Sequence, residues 1–286
     1  MTHVSIIICT KDRAASLRET LASLTNCKVG EWTIELLVVD NGSTDHTRQV
    51  VESAILRNMS LRYLHEPRLG LCHARNAGLA EARGDIIVFT DDDVRVEPHW
   101  IQHLCQPLLE GKGDASAGVI MVAPDLRRGW LLAGFPSFIA GRENLKSGPT
   151  DFLVGANLAM TRAAFSSVGP FDTELGPGAL GFGDDGLFSL QLREAGNRLV
   201  AVPEAVVIHH FDPSRLSFGS LWTTAEKMGR SEAYIHYHWQ HDPWWRWQWL
   251  STSRHTLSLG LKRACGGRAW TGRGVPEGGR LPGVMA

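Results

Sequence analysis

Over the first 94 residues, continuous apolar runs alternate with longer segments in which apolar and polar residues are mixed. Residues 4 to 9, VSIIIC, form a continuous apolar run, which is typical of a strand covered on both faces of a parallel sheet. Helical spacing of apolar positions follows at residues 13 to 24. Further buried strands are predicted at residues 34–40, 61–66 and 85–90, with helices between them. This alternation predicts a doubly wound α/β sheet, whose ligands bind beyond the C-terminal ends of the strands.

The second half of the chain is less regular. Residues 98–110 are expected to form a helix, and a long loop rich in Gly, Pro and aromatic residues is expected at 124–151, where binding loops and lids are often found. The helix that follows Asn41-Gly42 is expected to be capped by a polar side chain of residues 43–45. The other predicted elements are a strand at 115–123, a strand and helix at 152–165, a helix at 183–196 and a strand at 198–210.

Composition and charge restrict the class of protein. Hydrophobic residues make up 43% and charged residues 21% of the chain, which is ordinary for a globular protein. The formal net charge of -1 argues against a nucleic-acid-binding protein, because neutralising phosphates requires a surplus of Lys and Arg. The five cysteines form no CxxC pairs, which fits neither a zinc site nor a disulfide framework and favours a reducing, cytoplasmic location.

No segment has the pattern of a membrane span. The N-terminal apolar run is too short for a signal peptide, and no run approaches the ~18 apolar residues that a spanning helix requires. The region beyond about residue 212 is helical in pattern and rich in Trp, with Arg and Lys nearby. Such a composition is typical of helices at a membrane surface, and a helical cap that packs on the sheet is an equal alternative.

Three adjacent aspartates, Asp91, Asp92 and Asp93, follow the strand at residues 85–90. One aspartate in such a place often does no more than complement a helix dipole. Three adjacent carboxylates repel one another, so they require a compensating cation, and Mg²⁺ or Mn²⁺ suits oxygen ligands. Since magnesium is seldom held by protein alone, a bound polyphosphate is also indicated.

Polar residues also follow the neighbouring strands. Asp40 either caps the next helix or accepts a hydrogen bond from a nucleobase N–H. Arg75 and Asn76, on the helix at 71–82, either lie on the surface or contact phosphate or a pyrimidine. Because these residues project from one edge of the predicted sheet, they indicate a single ligand site.

Four blocks of sequence, residues 4–24, 35–47, 70–94 and 181–196, resemble in content and order the signature blocks of family 2 glycosyltransferases. The resemblance extends from about Val4 to His210. It implies the GT-A fold, a Rossmann-like mixed sheet flanked by helices, here with a helical C-terminal extension. It also implies an inverting transferase that takes a sugar from a nucleotide diphosphate donor and uses Mg²⁺ or Mn²⁺.

The resemblance divides the chain into a nucleotide-sugar-binding and catalytic domain at 1–212 and an aromatic-rich helical extension at 213–263. A Gly- and Arg-rich tail at 264–286 is expected to be disordered. A UDP-sugar is the favoured donor, and the acceptor is expected to be a hydroxyl of a glycan or a lipid-linked glycan, in the synthesis of surface polysaccharide or glycoconjugate.

The resemblance also implies roles for individual residues on the donor side. The nucleotide pocket is expected to include Thr10, Asp12, Arg13, Asp40, Arg75, Asp91 and Asp92. Within this set Asp40 binds the base, Arg75 lies beside it and Asp91 faces the ribose. Asp93 is the expected metal ligand, and Asp92 supports either neighbour.

The proton acceptor is expected at residues 184–185, where the family commonly has Glu-Asp. Asp185 matches the base and Asp184 replaces the Glu in a supporting role; the alternative is that the pair caps the following helix. His209 and His210 lie on opposite faces of their strand, so one of them is expected to join the metal or diphosphate site, with His209 favoured.

Other classes of protein fit the sequence less well. A phosphatase of the haloacid dehalogenase type has its aspartates near the N-terminus and Thr or Val where Arg95 stands here. A nucleotidyltransferase needs a Gly-rich phosphate loop, whereas CTKDR after the first strand has no Gly. A non-catalytic nucleotide-sugar-binding protein would keep Asp40 and Asp93 without requiring Asp185.

Overall fold

The computed structural model describes residues 2–129 and 139–241. The chain divides into two compact units, residues 1–235 and 236–286. The strands of the described part are β1 (His3–Thr10), β2 (Thr33–Asp40), β3 (Ser60–His65), β4 (Ile86–Asp91), β5 (Val94–Val96), β6 (Ala115–Val122), β7 (Gly148–Pro149), β8 (Asn157–Thr161) and β9 (Leu199–His209). Its α-helices are α1 (Ala14–Thr25), α2 (Thr47–Ser53), α3 (Leu71–Glu81), α4 (Trp100–Leu109), α5 (Arg162–Ser166), α6 (Asp184–Glu194) and α7 (Phe218–His238).

The strands form one mixed sheet in the order β3-β2-β1-β4-β8-β6-β9-β5, with β7 beside β9. Strands β1 to β4 are parallel, as the doubly wound pattern predicts. Strand β8 runs antiparallel to both β4 and β6, so the predicted Rossmann-like mixed sheet flanked by helices is confirmed. Thr10 pairs with Asp40 and Cys9 with Asp91, which brings the C-terminal ends of β1, β2 and β4 level with one another.

Helices cover both faces of β1, which explains its uninterrupted apolar sequence. Ile6 and Ile8 pack in the core cluster that contains Leu17 of α1 and Trp100 of α4. Ile7 points to the other face, into the cluster that contains residues of α3 and α6. Because side chains alternate along a strand, burying both faces requires apolar residues at successive positions.

A buried asparagine binds backbone carbonyls where the pairing of two strands is irregular. The pairing of β6 with β9 shifts register between Gly118 and Val119. Asn157 Nδ2 donates to the carbonyl oxygens of Val119, at 2.9 Å, and Ala205, at 2.8 Å, and Trp100 Nε1 donates to Asn157 Oδ1 at 2.8 Å. The Asn157 side chain therefore satisfies carbonyls that the shifted ladder leaves unpaired.

Several predicted boundaries differ from the structure. The N-cap position of α2 is His46, which makes no side-chain capping bond. Asp45, within the predicted capping segment 43–45, accepts from the first N–H of α2, that of Thr47, and from Ala14 N–H, both at 2.9 Å, and thereby joins α2 to α1. The predicted loop at 124–151 contains a 3₁₀ turn, Pro124–Leu126, and strand β7.

Part of helix α7 packs against the loop that precedes α6. Ser231 is buried, and its Oγ accepts from Phe182 N–H at 3.2 Å. Phe218 and Trp222, on the first turns of α7, are 80% and 67% exposed. None of the helices that the structure describes combines the length and the apolar content needed to cross a membrane. Most of the predicted extension at 213–263 beyond α7, and the predicted disordered tail at 264–286, lie outside the described residues.

Candidate active site

The three aspartates after β4 have different surroundings. Asp92 and Asp93 are buried, whereas Asp91 is partly exposed. Thr10 Oγ1 donates to Asp92 Oδ2 at 2.6 Å, which ties the end of β1 to the end of β4. Arg13 binds both buried carboxylates, with Nη1 3.1 Å from Asp92 Oδ1 and Nη2 2.5 Å from Asp93 Oδ2.

His209, at the end of β9, lies on the other side of Asp93. Its Nε2 atom is 3.2 Å from Asp93 Oδ1, and the side chain is buried. The imidazole packs edge-on against Phe211, with ring centroids 5.3 Å apart. His210 is less buried, and its backbone N–H donates to the Asp93 carbonyl at 2.7 Å. Of the two histidines, His209 is thus the one whose side chain lies beside the aspartates.

The three carboxyl groups also differ in the direction in which their surroundings shift the pKa. Burial acts to raise the pKa of Asp93, but His209 and Arg13 outweigh it and hold that pKa below its usual range. At Asp92 burial prevails over Arg13 and raises the pKa to about 7. Burial and the nearby Asp93 raise the pKa of Asp91. Asp93 is therefore the carboxylate that stays ionised most readily.

Unsatisfied polar atoms around Asp93 fit a cation. Within the described part of the chain, the buried atoms Asp93 Oδ1 and His209 Nδ1 have no hydrogen-bond partner. His209 Nε2 lies 3.2 Å from this oxygen without the geometry of a hydrogen bond, and a hard cation would compensate the buried carboxylate more fully. Carboxylate oxygens with an imidazole are suitable ligands for Mn²⁺, and carboxylates for Mg²⁺. In residues 2–129 and 139–241 no three His, Cys, Asp or Glu side chains form a ready-made metal cluster.

Asp40 is buried at the end of β2. Its Oδ1 accepts from Ser43 N–H at 2.8 Å, and its Oδ2 accepts from the Tyr63 hydroxyl at 2.7 Å. Burial and this hydrogen bond raise the pKa of Tyr63 to about 12. Each carboxylate oxygen has a second lone pair, so Asp40 retains the capacity to accept from a ligand. Tyr63 had no signal in the sequence beyond its place in a strand.

Asp12 joins the loops that follow β1 and β2. Its backbone N–H donates to Ser43 Oγ at 2.8 Å, and its Oδ1 accepts from Thr44 N–H at 2.7 Å. Its φ of 52° is a left-handed value, which is uncommon for a residue other than Gly. The observed role of Asp12 is to hold the two loops together, and its predicted contact with the nucleotide stays a prediction.

The acid pair begins helix α6. The N-cap is Gly183, with Asp184 and Asp185 in the first turn. Arg75 Nη1 donates to Asp184 Oδ2 and, at 2.7 Å, to Asp185 Oδ1. The backbone N–H of Gly155 donates to Asp185 Oδ2 at 2.9 Å. Both Asp185 oxygens are therefore held in place, and the side chain remains partly exposed.

Arg75 is enclosed by aromatic rings as well as by acids. Its guanidinium carbon lies 5.1 Å from the centre of the Phe171 ring and 5.8 Å from that of Phe89. Burial acts to lower the pKa of Arg75, but Asp185 and Asp184 outweigh it and raise that pKa. Burial, followed by Asp185, raises the pKa of Asp184 to about 6.

The positions of Arg75 and Asn76 differ from expectation. Arg75 is buried rather than on the surface, and no hydrogen bond or ion pair among the described residues joins it to Asp40. Asn76 Nδ2 donates to the Phe171 carbonyl and Asn76 Oδ1 accepts from Phe171 N–H, both at 2.8 Å. Both ends of the Asn76 amide are thus bound to this backbone, and its expected contact with a ligand stays a prediction.

The chain beside Asp91 joins the Asp93–His209 cluster to the acid pair. Thr90 Oγ1, in the residue before Asp91, donates to the Ala156 carbonyl at 2.9 Å, and the N–H of the adjacent Gly155 donates to Asp185 Oδ2 at 2.9 Å. Both clusters consequently belong to one site at the C-terminal edge of the sheet.

Comparison with known proteins agrees with this fold and site. The family model "Glycosyl transferase family 2" matches residues 5–169, more than half of the chain, and the chain belongs to that family. Two solved structures share its GT-A fold. One is TarS 1-349 of S. aureus in complex with UDP, with a TM-score of 0.58 and 19% sequence identity; the match covers 80% of this chain and 65% of TarS 1-349. The other is GalNAc-T7 with UDP, GalNAc and Mn²⁺, with a TM-score of 0.59 and 17% identity; the match covers 80% of this chain and 48% of GalNAc-T7.

A curated relative of similar extent is the succinoglycan biosynthesis protein ExoM of Rhizobium meliloti (strain 1021). The two are 29% identical over 229 residues, which cover 77% of this chain and 70% of ExoM. The chain spans only 32% and 25% of the length of two other curated relatives that it matches.

Proposed function

We propose that this protein is an inverting glycosyltransferase that moves a sugar from a nucleotide diphosphate donor to an acceptor hydroxyl with the help of Mg²⁺ or Mn²⁺. The observation that carries the proposal is the short path from the aspartates to the acid pair: Thr90, just before Asp91, binds the Ala156 carbonyl, and the adjacent Gly155 N–H binds Asp185. This proximity supports a cation-binding carboxylate and a base in the same site. The UDP in the TarS and GalNAc-T7 structures supports a UDP-sugar as the first donor to test.

On the donor side, Asp40 accepts a hydrogen bond from the base through a free lone pair. Thr10, Asp12 and Arg13 shape the pocket from the loop after β1, Asp91 faces the ribose, and Arg75 completes the nucleotide-binding set that the family resemblance implies. Asp93 holds the cation together with His209, and Asp92 supports Asp93 through their shared partner Arg13. The cation supplies neutralisation of the negative charge that develops on the departing diphosphate.

On the acceptor side, Asp185 accepts the proton of the acceptor hydroxyl. The oxygen so activated forms a bond to the anomeric carbon as the bond from that carbon to the diphosphate breaks, on the opposite face, and the configuration inverts. Asp184 supports Asp185 by sharing Arg75 with it. The base is fixed before substrate arrives because Arg75 and Gly155 N–H hold its two oxygens.

The biological setting that we propose is the synthesis of a surface polysaccharide or glycoconjugate, with a glycan or lipid-linked glycan as the acceptor. The similarity to ExoM, a succinoglycan biosynthesis protein, supports this setting. Residues 1–212 form the catalytic domain in this proposal and 213–263 its extension. The exposed Phe218 and Trp222 support peripheral contact of that extension with a membrane.

Three measurements test the proposal. Calorimetry with UDP, GDP, dTDP and CDP should show binding of at least one nucleotide that depends on Mn²⁺ or Mg²⁺. Hydrolysis of a panel of sugar nucleotides would then identify the donor, and the anomeric configuration of a transfer product would report inversion. Absence of metal-dependent binding to all four nucleotides would overturn the proposal.

Replacement of the base separates an enzyme from a non-catalytic nucleotide-sugar-binding protein. Asp185→Asn should lower the transfer rate by roughly 10²-fold or more, because general base catalysis is lost. The nucleotide Kd should change by less than about twofold, since Asp185 binds no part of the nucleotide. Equal loss of transfer and nucleotide binding would instead indicate that Asp185 is structural.

A further inference from the structure

Gly155 lies in the segment between β7 and β8, against both the acid pair and Arg75. A Cβ atom built at this position would lie 1.9 Å from Arg75 Nη2, 2.8 Å from Arg75 Cζ and 3.0 Å from Asp185 Oδ1. The φ angle of Gly155 is outside the left-handed region, so its backbone conformation is open to other residues. The requirement for Gly at 155 therefore comes from the space that the guanidinium occupies.

The Arg75 guanidinium has little freedom to move out of that space. Its Nη1 binds both acids, and the rings of Phe171 and Phe89 lie close to its guanidinium carbon. The backbone of Phe171 is itself held by two hydrogen bonds with the Asn76 amide, one donated by each residue. A side chain at 155 would consequently have to displace the guanidinium from the carboxylates.

The acid pair depends on this cation for its charge. Two carboxylates in contact with one guanidinium repel each other, and without the cation one of them would take up a proton. The groups that face the pair are Arg75 and Cys72 from α3 and Asp91 from β4. Arg75 is the cation among them. A proton bound by Asp185 would prevent it from accepting one from a substrate hydroxyl.

We infer that Arg75 and Gly155 are positioning residues for Asp185. Arg75 supplies the positive charge that both carboxylates contact and fixes Asp185 Oδ1, while Gly155 fixes Asp185 Oδ2 through its N–H and leaves room for the guanidinium. Neither residue contacts the reacting atoms. This inference rests on the proposed role of Asp185 as base and assigns to Arg75 a function apart from the nucleotide contact implied by the family resemblance.

A double-mutant cycle tests the inference. Gly155→Ala should lower kcat by roughly tenfold to a hundredfold, with the nucleotide diphosphate Kd within about twofold of the wild type. Arg75→Gln should lower kcat at least as much. In the double variant the added methyl group no longer meets a guanidinium, so kcat should stay within about threefold of Arg75→Gln alone. Independent, multiplicative losses would overturn the inference.

Two controls separate positioning from general damage. Gly169→Ala is the matched control, because a Cβ at Gly169 meets no atom within 4 Å. Its kcat should equal that of the wild type. Arg75→Lys keeps the charge, so it should recover part of the activity that Arg75→Gln loses; no recovery would count against a role for the cation.

The pH profile supplies a readout that a purely structural role would not move. Arg75→Gln removes the cation that the two carboxylates share, so the acidic limb of kcat should shift to higher pH. A uniform fall of kcat at every pH would contradict the inference. Wild-type protein that transfers no sugar would refute the proposed function, whereas an active wild type with a fully active Gly155→Ala would refute only this inference.

Discussion

Arg13 and Asp93 form a close ion pair, with Nη2 2.5 Å from Oδ2, at the place where the proposed cation would bind. The same guanidinium also reaches Asp92. Burial acts to lower the pKa of Arg13, but Asp92 and Asp93 outweigh it and raise that pKa, so the arginine is charged at any working pH. Arg13 is therefore a resident positive charge that competes with a cation for Asp93.

Removal of this charge should strengthen binding of the bare cation. In the absence of nucleotide, Arg13→Gln should bind Mn²⁺ several-fold more tightly, roughly fivefold or more, because a unit of positive charge next to the carboxylates is gone. Titration with Mn²⁺ followed by electron paramagnetic resonance measures the affinity directly. Arg13→Lys is the matched control and should resemble the wild type. Weaker Mn²⁺ binding by Arg13→Gln would show that the arginine does not compete with the cation.

Asp93 and Asp92 should differ as cation ligands. Asp93→Asn should weaken metal-dependent nucleotide binding by roughly 10²-fold, since it removes the carboxylate that stays ionised beside His209. Asp92→Asn should have a much smaller effect on that binding, because burial already raises the pKa of Asp92 to about 7. Calorimetry with UDP and Mn²⁺ compares the two variants. Similar losses in both would mean that the cation takes ligands from both carboxylates.

Asp184 should make the folded protein less stable as the pH rises. Its pKa is raised by burial and Asp185 to about 6, above the value of about 4 for an unfolded aspartate. Between about pH 4 and pH 6 the folded state therefore binds a proton at Asp184 that the unfolded state has lost. The unfolding free energy consequently falls as the pH increases through this range. Relative to the wild type, Asp184→Asn should gain roughly 2 kcal/mol of unfolding free energy between pH 4.5 and 7.5.

Urea unfolding at both pH values provides the measurement for Asp184. Asp151→Asn is a suitable control, because the Asp151 side chain is 86% exposed and should show little difference between the two pH values. A gain for Asp184→Asn that is the same at pH 4.5 and pH 7.5 would exclude titration of this group as the cause.

Asn157 should contribute strongly to stability. Asn157→Ala leaves the Val119 and Ala205 carbonyls and Trp100 Nε1 without their partner in the core. The cost of several buried unsatisfied groups suggests a loss of about 3 kcal/mol or more in unfolding free energy. Denaturant unfolding measures it, with the exposed Asn58→Ala as a control that should lose less than about 0.5 kcal/mol. A loss below about 1 kcal/mol would mean that water replaces the amide.

Much of the arrangement at the C-terminal ends of β1, β2 and β4 could be predicted because it depends on local pattern. The apolar runs of β1, β2 and β4 fixed three adjacent parallel strands, and Asp40 and Asp91 follow two of them at the same edge. Alternation along β9 also separated His209, which is buried beside Asp93, from the more exposed His210. In each case the position of a side chain depends on one strand and its immediate neighbours.

No sequence pattern indicated the contacts between segments that are distant along the chain. The sequence placed Arg75 on a helix but could not show that its guanidinium meets α6, 109 and 110 residues further along. Gly155 likewise resembled an ordinary loop glycine, and its importance appears only from the atoms that surround it. The antiparallel direction of β8 also depends on how a long connection returns to the sheet.

The two clusters of the site are supported by different parts of the chain. The Asp93 cluster is joined to Thr10 and Arg13 at the end of β1, a strand paired on both sides, so a one-residue deletion in β1 would misalign it with two neighbours. His209 depends on a different segment, because Leu126 and Ile139, in the connection between β6 and β7, pack with Phe211, whose ring contacts the His209 imidazole. A substitution in that connection would therefore disturb His209 while leaving the register of β1 unchanged.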